Sequence, residues 1–164
     1  MVDPALIYQA TISTPIGKIG IRTSDNYLLG INYLGDSELI IKPKTIIAKE
    51  TVEQVLCYFA DPEFSFKIPF SLNVTPFQET VLQALRKIPV GAARSYAELA
   101  QLLETKPRPV GNACRKNPVP IVIPCHRIIA STGIGGYGGA IKGPLLEIKR
   151  WLLQHEDTPP IPSS

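Results

Sequence analysis

Leu72-Asn73-Val74-Thr75-Pro76-Phe77-Gln78 is the stretch at which this 164-residue chain changes character. Thr75 offers a side-chain oxygen for a helix N-cap. Pro76 suits the first helical position, where a missing N–H costs nothing, and Gln78 stands three residues after the cap, where it can reach back. The spacing predicts a helix as far as Pro89 with Phe77, Val81, Leu85 and Ile88 on one face. Upstream the apolar period is that of strands, so a domain boundary falls between 73 and 74. Two domains, 1-73 and 74-156, follow, with 157-164 a proline- and serine-rich frayed tail.

Working back from the boundary, 5-14, 18-24 and 27-33 alternate apolar with polar residues. Thr14-Pro15-Ile16-Gly17 and Asp25-Asn26 break them, which predicts an antiparallel meander. From Lys49 to Ala60 the period lengthens, and Val52, Val55, Leu56 and Phe59 share a helical face, with Cys57 expected to be a buried small hydrophobe. Residues 64-71 read as extended. The fold class is α+β, and no cluster of chemically capable side chains occurs in this first half.

Working forward, Ser95-Tyr96-Ala97-Glu98 is a second capping box, opening a short helix through Leu99, Leu102 and Leu103. A turn at Thr105-Lys106-Pro107 separates it from a third helix that begins near Arg108 or Pro109 and ends near Lys116. Two short helices and a tight turn make a helix-turn-helix pattern. The second carries Lys106, Arg108, Arg115 and Lys116 with no acidic residue among them. Small Gly111, Asn112 and Ala113 would let its backbone approach a nucleic-acid groove. A solvated helix in a packed bundle has the same composition, so the residues leave both readings open.

Val119-Pro120-Ile121-Val122 leads into Ile123-Pro124-Cys125-His126-Arg127, a β-branched and proline-bearing run that reads as a buried extended segment. It presents a thiol, an imidazole and a guanidinium in succession, an electropositive setting expected to lower the cysteine pKa and leave a thiolate at neutral pH. Gly133-Ile134-Gly135-Gly136-Tyr137-Gly138-Gly139 follows, a loop whose backbone can come close to a ligand. Leu145, Ile148 and Leu152 then mark a closing helix that ends near His155.

Composition narrows the classes. With 45% apolar residues the chain can build a core, and a net charge of +3 permits nucleic-acid binding without requiring it. No run is long enough for a membrane span, and Met1-Val2-Asp3-Pro4 has no secretory pattern. Three cysteines in unlike settings and two histidines argue against a disulfide framework and against a metal site. An intracellular, cytoplasmic protein with free thiols is expected.

The second half resembles the O6-alkylguanine-DNA alkyltransferases, also called methylated-DNA–protein-cysteine methyltransferases. The resemblance runs in order through Thr75-Pro76-Phe77-Gln78, Ser95-Tyr96, Arg108, Gly111, Asn117-Pro118-Val119-Pro120, Ile123-Pro124-Cys125-His126-Arg127, Gly136-Tyr137-Gly138-Gly139 and Trp151-Leu152-Leu153-Gln154-His155-Glu156. The first half looks like the family's small ribonuclease-H-like domain, on its strand pattern and Thr14-Pro15-Ile16-Gly17 alone. The resemblance implies a monomer without cofactor or metal that binds double-stranded DNA, associated with the nucleoid. It would move the alkyl group of O6-alkylguanine, and of O4-methylthymine, irreversibly to its own cysteine.

By the same resemblance Cys125 is the acceptor and His126 its base, acting through a bridging water. Glu156 orients the imidazole, with Glu147 the competing acid, and His155 stays outside the chemistry. Asn117 braces the helix-turn-helix against the active-site segment, and Tyr96 assists the departing base. A base inside a duplex cannot reach a buried thiol, so Arg108 would enter the stack as the base flips out. Pro120, Tyr137 and Gly138 would wall the pocket, and Arg115 would serve DNA binding. Cys114 would be an inert thiol on the DNA-facing helix. Four departures stand out: Leu82 where many relatives have tryptophan, prolines on both sides of Arg108, a longer loop after Tyr137 containing Gly143-Pro144, and no N-terminal Cys/His set for the zinc site that some relatives carry. A damage sensor without turnover is the rival reading, disfavoured by Cys125 itself; a cysteine hydrolase is disfavoured by the helix-turn-helix and Tyr96.

Overall fold

The computed structural model describes residues 7–159 and Ile161. The expectations for the first residues and for most of the tail (Pro160 and 162–164) lie outside them. The chain divides into two compact units that meet between Asn73 and Val74.

In the first unit β1 (Ala10–Thr14), β2 (Gly17–Thr23) and β3 (Leu28–Gly35) form an antiparallel sheet in that order. Ala10 faces Ile21 and Ile12 faces Ile19 across the first pair. Gly17 takes φ 99°, a left-handed value that a side chain resists, and Thr14 Oγ1 donates to its carbonyl at 2.7 Å. The first strand is shorter than expected: Ile7 is helical and pairing starts at Ala10. One helix, α1 (Ile46–Ala60), packs on the sheet, its first turn capped by Thr45.

That helix buries Ile47, Ala48, Thr51, Gln54, Val55 and Tyr58, a face rotated from the expected one. Leu56 is exposed and Cys57 half-buried. Polar Thr51 and Gln54 took the inner positions because their hydrogen bonds are met there. Thr51 Oγ1 donates to Ile47 O, and Gln54 bonds Glu50 and the Lys67 N–H. Of residues 64–71 only Phe70 pairs, in a single bridge to Leu28, so no strand forms.

The second unit is helical. Helix α2 (Pro76–Leu85) has the full capping box, with Thr75 and Gln78 each bonding the other's backbone N–H. It buries Val81, Leu82 and Leu85, while Phe77 is 40% exposed. A two-residue strand β4 (Arg94–Ser95) leads into α3 (Tyr96–Leu102), again with a complete capping box on Ser95 and Glu98. Leu102, expected in the core, is exposed. Helix α4 (Pro107–Arg115) follows a tight turn and packs on both α2 and α3. Pro107 and Pro109 sit in its first turn, where unbonded N–H groups make proline harmless.

The segment before Cys125 is buried but not extended. Prolines at 118, 120 and 124 remove the donors a strand ladder needs. Instead Ile123 N–H bonds Val119 O at 2.9 Å, and Ile121 adopts φ 75°. Pro124, at φ −81° and ψ 65°, centres an inverse γ-turn closed by Cys125 N–H to Ile123 O at 2.8 Å. Cys125–Arg127 is one turn of 3-10 helix, and β5 (Ile128–Ile129) pairs parallel with β4. The closing helix α5 (Pro144–His155) buries Leu146, Lys149, Leu152 and Leu153, one step round from the expected Leu145 and Ile148.

Candidate active site

Cys125 lines a cavity of about 310 Å³ with Tyr96, Arg108, Cys114, Arg115 and residues 136–141. Local structure explains each arrival. The β4–β5 pairing sets Ser95 against Ile129, so Tyr96, at the start of α3, is delivered to the 3-10 turn's neighbourhood. Tyr137 and Ala140 exchange backbone bonds at 2.8 and 2.9 Å around Gly138 (φ 58°) and Gly139 (φ 87°). Two consecutive left-handed residues make this a tight hairpin turn that glycine alone enters freely. Against Gly139 lies the Arg115 guanidinium, which a Cβ there would meet at 2.9 Å.

Beside the cavity is a buried charge cluster. His126 Nε2 and Glu156 Oε2 are 2.7 Å apart, and both side chains are fully buried. Arg127 donates from Nε to Glu156 Oε1 at 2.8 Å and from Nη2 to Oε2 at 3.1 Å. Its Nη1 donates to Ile88 O at 2.7 Å. Glu147, the competing acid, is exposed and pairs with Arg150. Asn117 spans the turn, with Nδ2 donating to Ile123 O at 2.9 Å and Oδ1 accepting from Val119 N–H at 3.0 Å.

A family model, 6-O-methylguanine DNA methyltransferase, DNA binding domain, matches residues 76–158. A methylated-DNA–protein-cysteine methyltransferase of Saccharolobus islandicus is 41% identical over 143 residues, 87% of this chain and 91% of that protein. The chain belongs to the methylated-DNA–protein-cysteine methyltransferase family. The Archaeoglobus fulgidus protein of the same name is 40% identical over 88 residues, 54% of this chain and 60% of the relative. Among solved structures, Mycobacterium tuberculosis OGT in complex with DNA superposes with a TM-score of 0.76 at 34% identity, covering 90% of this chain and 91% of that one.

In this methyltransferase the electrostatics of Cys125 differ from the sequence expectation. Burial pushes its thiol up, although hydrogen bonds from Asn117 and Tyr137 and the Lys149 charge pull the other way. The resting side chain is therefore a thiol, not a thiolate. Arg127 does not supply the missing cation, because Glu156 holds its guanidinium. His126 is pushed below the ordinary imidazole range by burial, opposed by Glu156, with Arg127 and Lys149 adding to the lowering. It is neutral at pH 7. An ionised carboxylate accepts only, so Nε2 carries the proton and Nδ1 keeps a free lone pair. That buried Nδ1 has no hydrogen-bond partner among the described residues.

Tyr96 is pushed up to about 12, first by burial and then by the two nearby cysteines, so it stays a phenol. Arg108 is exposed and lines the cavity; Tyr137 and Gly138 line it too. Pro120 does not. It is buried and bridged to Ile123. Cys114 lines the cavity as well, and burial pushes its thiol up to about 12, which keeps it un-ionised.

Sequence reasoning missed Lys149. It is fully buried, and Nζ donates to Ile134 O at 2.6 Å and Gly136 O at 2.8 Å, pinning the glycine loop. Desolvation lowers it to about 8. The available signal was its register, four residues after Leu145 and three before Leu152, which puts a lysine on the apolar face. Among the described residues no three of His, Cys, Asp and Glu gather as a metal site would need, and no helix is long and apolar enough to cross a membrane.

Proposed function

We propose that this chain repairs DNA by taking the methyl group of O6-methylguanine onto Cys125. The observation that carries the assignment is that, of the two thiols lining the cavity, Cys125 and not Cys114 adjoins the buried His126–Glu156 pair in sequence. Sulfur attacks the methyl carbon in line with the C–O6 bond. The S–C bond forms as the O6–C bond breaks, and that electron pair passes to the base.

A thiol attacks poorly, so its proton has to leave first. The bare Nδ1 of neutral His126 receives it, directly or through one water, and Glu156 stabilises the imidazolium that results. Lys149 and the Asn117 amide favour the thiolate while it lasts. Tyr96, a phenol throughout, hydrogen-bonds the base as negative charge develops on it. The base takes up a proton at N1, balanced by the thiol proton that His126 received and returns to water, and rotates back into the duplex as guanine. S-methylcysteine has no leaving group activated for hydrolysis at this site, so each molecule acts once.

DNA binding uses the helix-turn-helix, with the cations of α4 on phosphates and the target base rotated into the cavity. Arg108, exposed at its rim, takes the place the base vacates. Duplex DNA with O6-alkylguanine is the partner and one copy of the chain suffices. O4-methylthymine offers the same displacement.

The test is to incubate the protein with duplex DNA containing O6-methylguanine and map methyl by mass. One methyl is expected on the peptide carrying Cys125, and none on those carrying Cys57 or Cys114. Methyl lost from DNA without gain at Cys125 overturns the assignment.

A further inference from the structure

We propose that Arg127 is a positioning residue for methyl transfer: its fork on Glu156 holds the carboxylate so that His126 rests neutral, with Nδ1 bare and ready to take the thiol proton. The inference rests on the role proposed above for His126.

Geometry carries it. Glu156 is buried and its oxygens are spoken for unequally. Oε1 accepts Arg127 Nε at 2.8 Å, and Oε2 accepts both Arg127 Nη2 at 3.1 Å and His126 Nε2 at 2.7 Å. A two-point guanidinium contact fixes the plane of a carboxylate, which one imidazole bond cannot do. The remaining nitrogen, Nη1, holds Ile88 O at 2.7 Å just beyond helix α2. The cysteine turn is thereby tied to a rigid element, since Arg127 belongs to the same 3-10 turn as Cys125.

Charge carries the second half. The groups that face His126 are Glu156 beyond α5, Arg127 on its own turn and Lys149 on α5. A lone carboxylate at 2.7 Å in a buried site would draw a proton onto the imidazole and leave Nδ1 occupied. Burial is the first influence against that, and the guanidinium adds to it by sharing the carboxylate's charge and repelling the imidazolium. Neutral His126, the form that can accept a proton, is preserved.

The test is the methyl-transfer rate on O6-methylguanine duplex at pH 6 and pH 8.5 for the wild type, Arg127→Met and Arg127→Lys. In Arg127→Met the acid limb is expected to rise by about one pH unit, so the ratio of the rate at pH 6 to that at pH 8.5 falls about three- to fivefold. Lysine keeps the charge but not the fork, so Arg127→Lys is expected to fall between the two. Equal losses at both pH values in both variants overturn the inference, because a merely structural role lowers the rate without moving the limb. If Arg127→Met does not fold, Arg127→Lys decides alone: a wild-type ratio overturns the proposal. Absence of methyl transfer to Cys125 in the wild type would instead sink the underlying assignment.

Discussion

Asn117→Ala tests the brace under the nucleophile. Asn117 makes two backbone bonds across the turn that carries left-handed Ile121, and a third to the Cys125 sulfur. Alanine deletes all three. Ile123 O keeps a partner in Cys125 N–H, but Val119 N–H, on a fully buried residue, is left with none. An orphaned buried donor costs about 1–3 kcal/mol and the lost bond to Ile123 about 1 more, so the expected destabilisation is about 2–4 kcal/mol. With a urea m-value of about 2 kcal/mol/M, the midpoint should drop by about 1–2 M. Transfer should slow as well, about tenfold for each unit by which the thiol pKa rises further.

Asn117→Asp separates the two effects. It retains an acceptor for Val119 N–H, yet turns an oxygen toward Ile123 O and puts a negative charge near the thiol. Its rate should fall below that of the alanine variant while its stability loss is comparable. The assay is paired: urea unfolding, and single-turnover transfer under conditions where the variant is folded. An alanine variant within 1 kcal/mol and twofold in rate of the wild type would refute the reasoning.

Two further outcomes are expected. Arg108→Ala should slow repair of duplex DNA far more than reaction with free O6-benzylguanine; equal losses would take base flipping away from Arg108. The wild-type rate should be flat from about pH 6.5 to 7.5, declining below that as His126 takes a proton and above about 8 as Lys149 loses the charge that favours the thiolate. His126 is lowered from 6.5, so it is neutral and able to accept a proton across this window, whereas Cys125 is raised from 9.0, so free thiolate contributes little inside it. A rate climbing tenfold per unit through pH 7 to 8.5 would mean attack by pre-formed thiolate, without His126 as base.

Much was legible in one dimension because it depends on neighbours three residues apart. The caps at Thr75 and Ser95 are local hydrogen bonds between residues named by the sequence, and both formed as read. The strand alternation from Ala10 to Gly35 and the succession Cys125-His126-Arg127 likewise needed no partner to be recognised. The family followed from the same residues.

What local pattern could not decide was which side of each element faces inward and which charges meet. Helix α1 turned its Thr51 and Gln54 inside because their polar groups found partners, a fact no apolar count contains. Burial set the protonation of Cys125: three consecutive residues suggested a thiolate, but desolvation outweighs the nearby donors, and the adjacent cation is claimed by a glutamate 29 positions away. Lys149 shows the same thing from the other direction. It sat unnoticed in an amphipathic pattern until the fold brought Ile134 and Gly136 carbonyls to its ammonium. The sequence by itself determined the helix caps, the three-strand alternation and the family, and singled out Cys125 as the candidate acceptor, since these depend on short-range geometry and residue type. Tertiary structure alone decided solvation and the pairing of buried charges, because these depend on groups far apart in the chain.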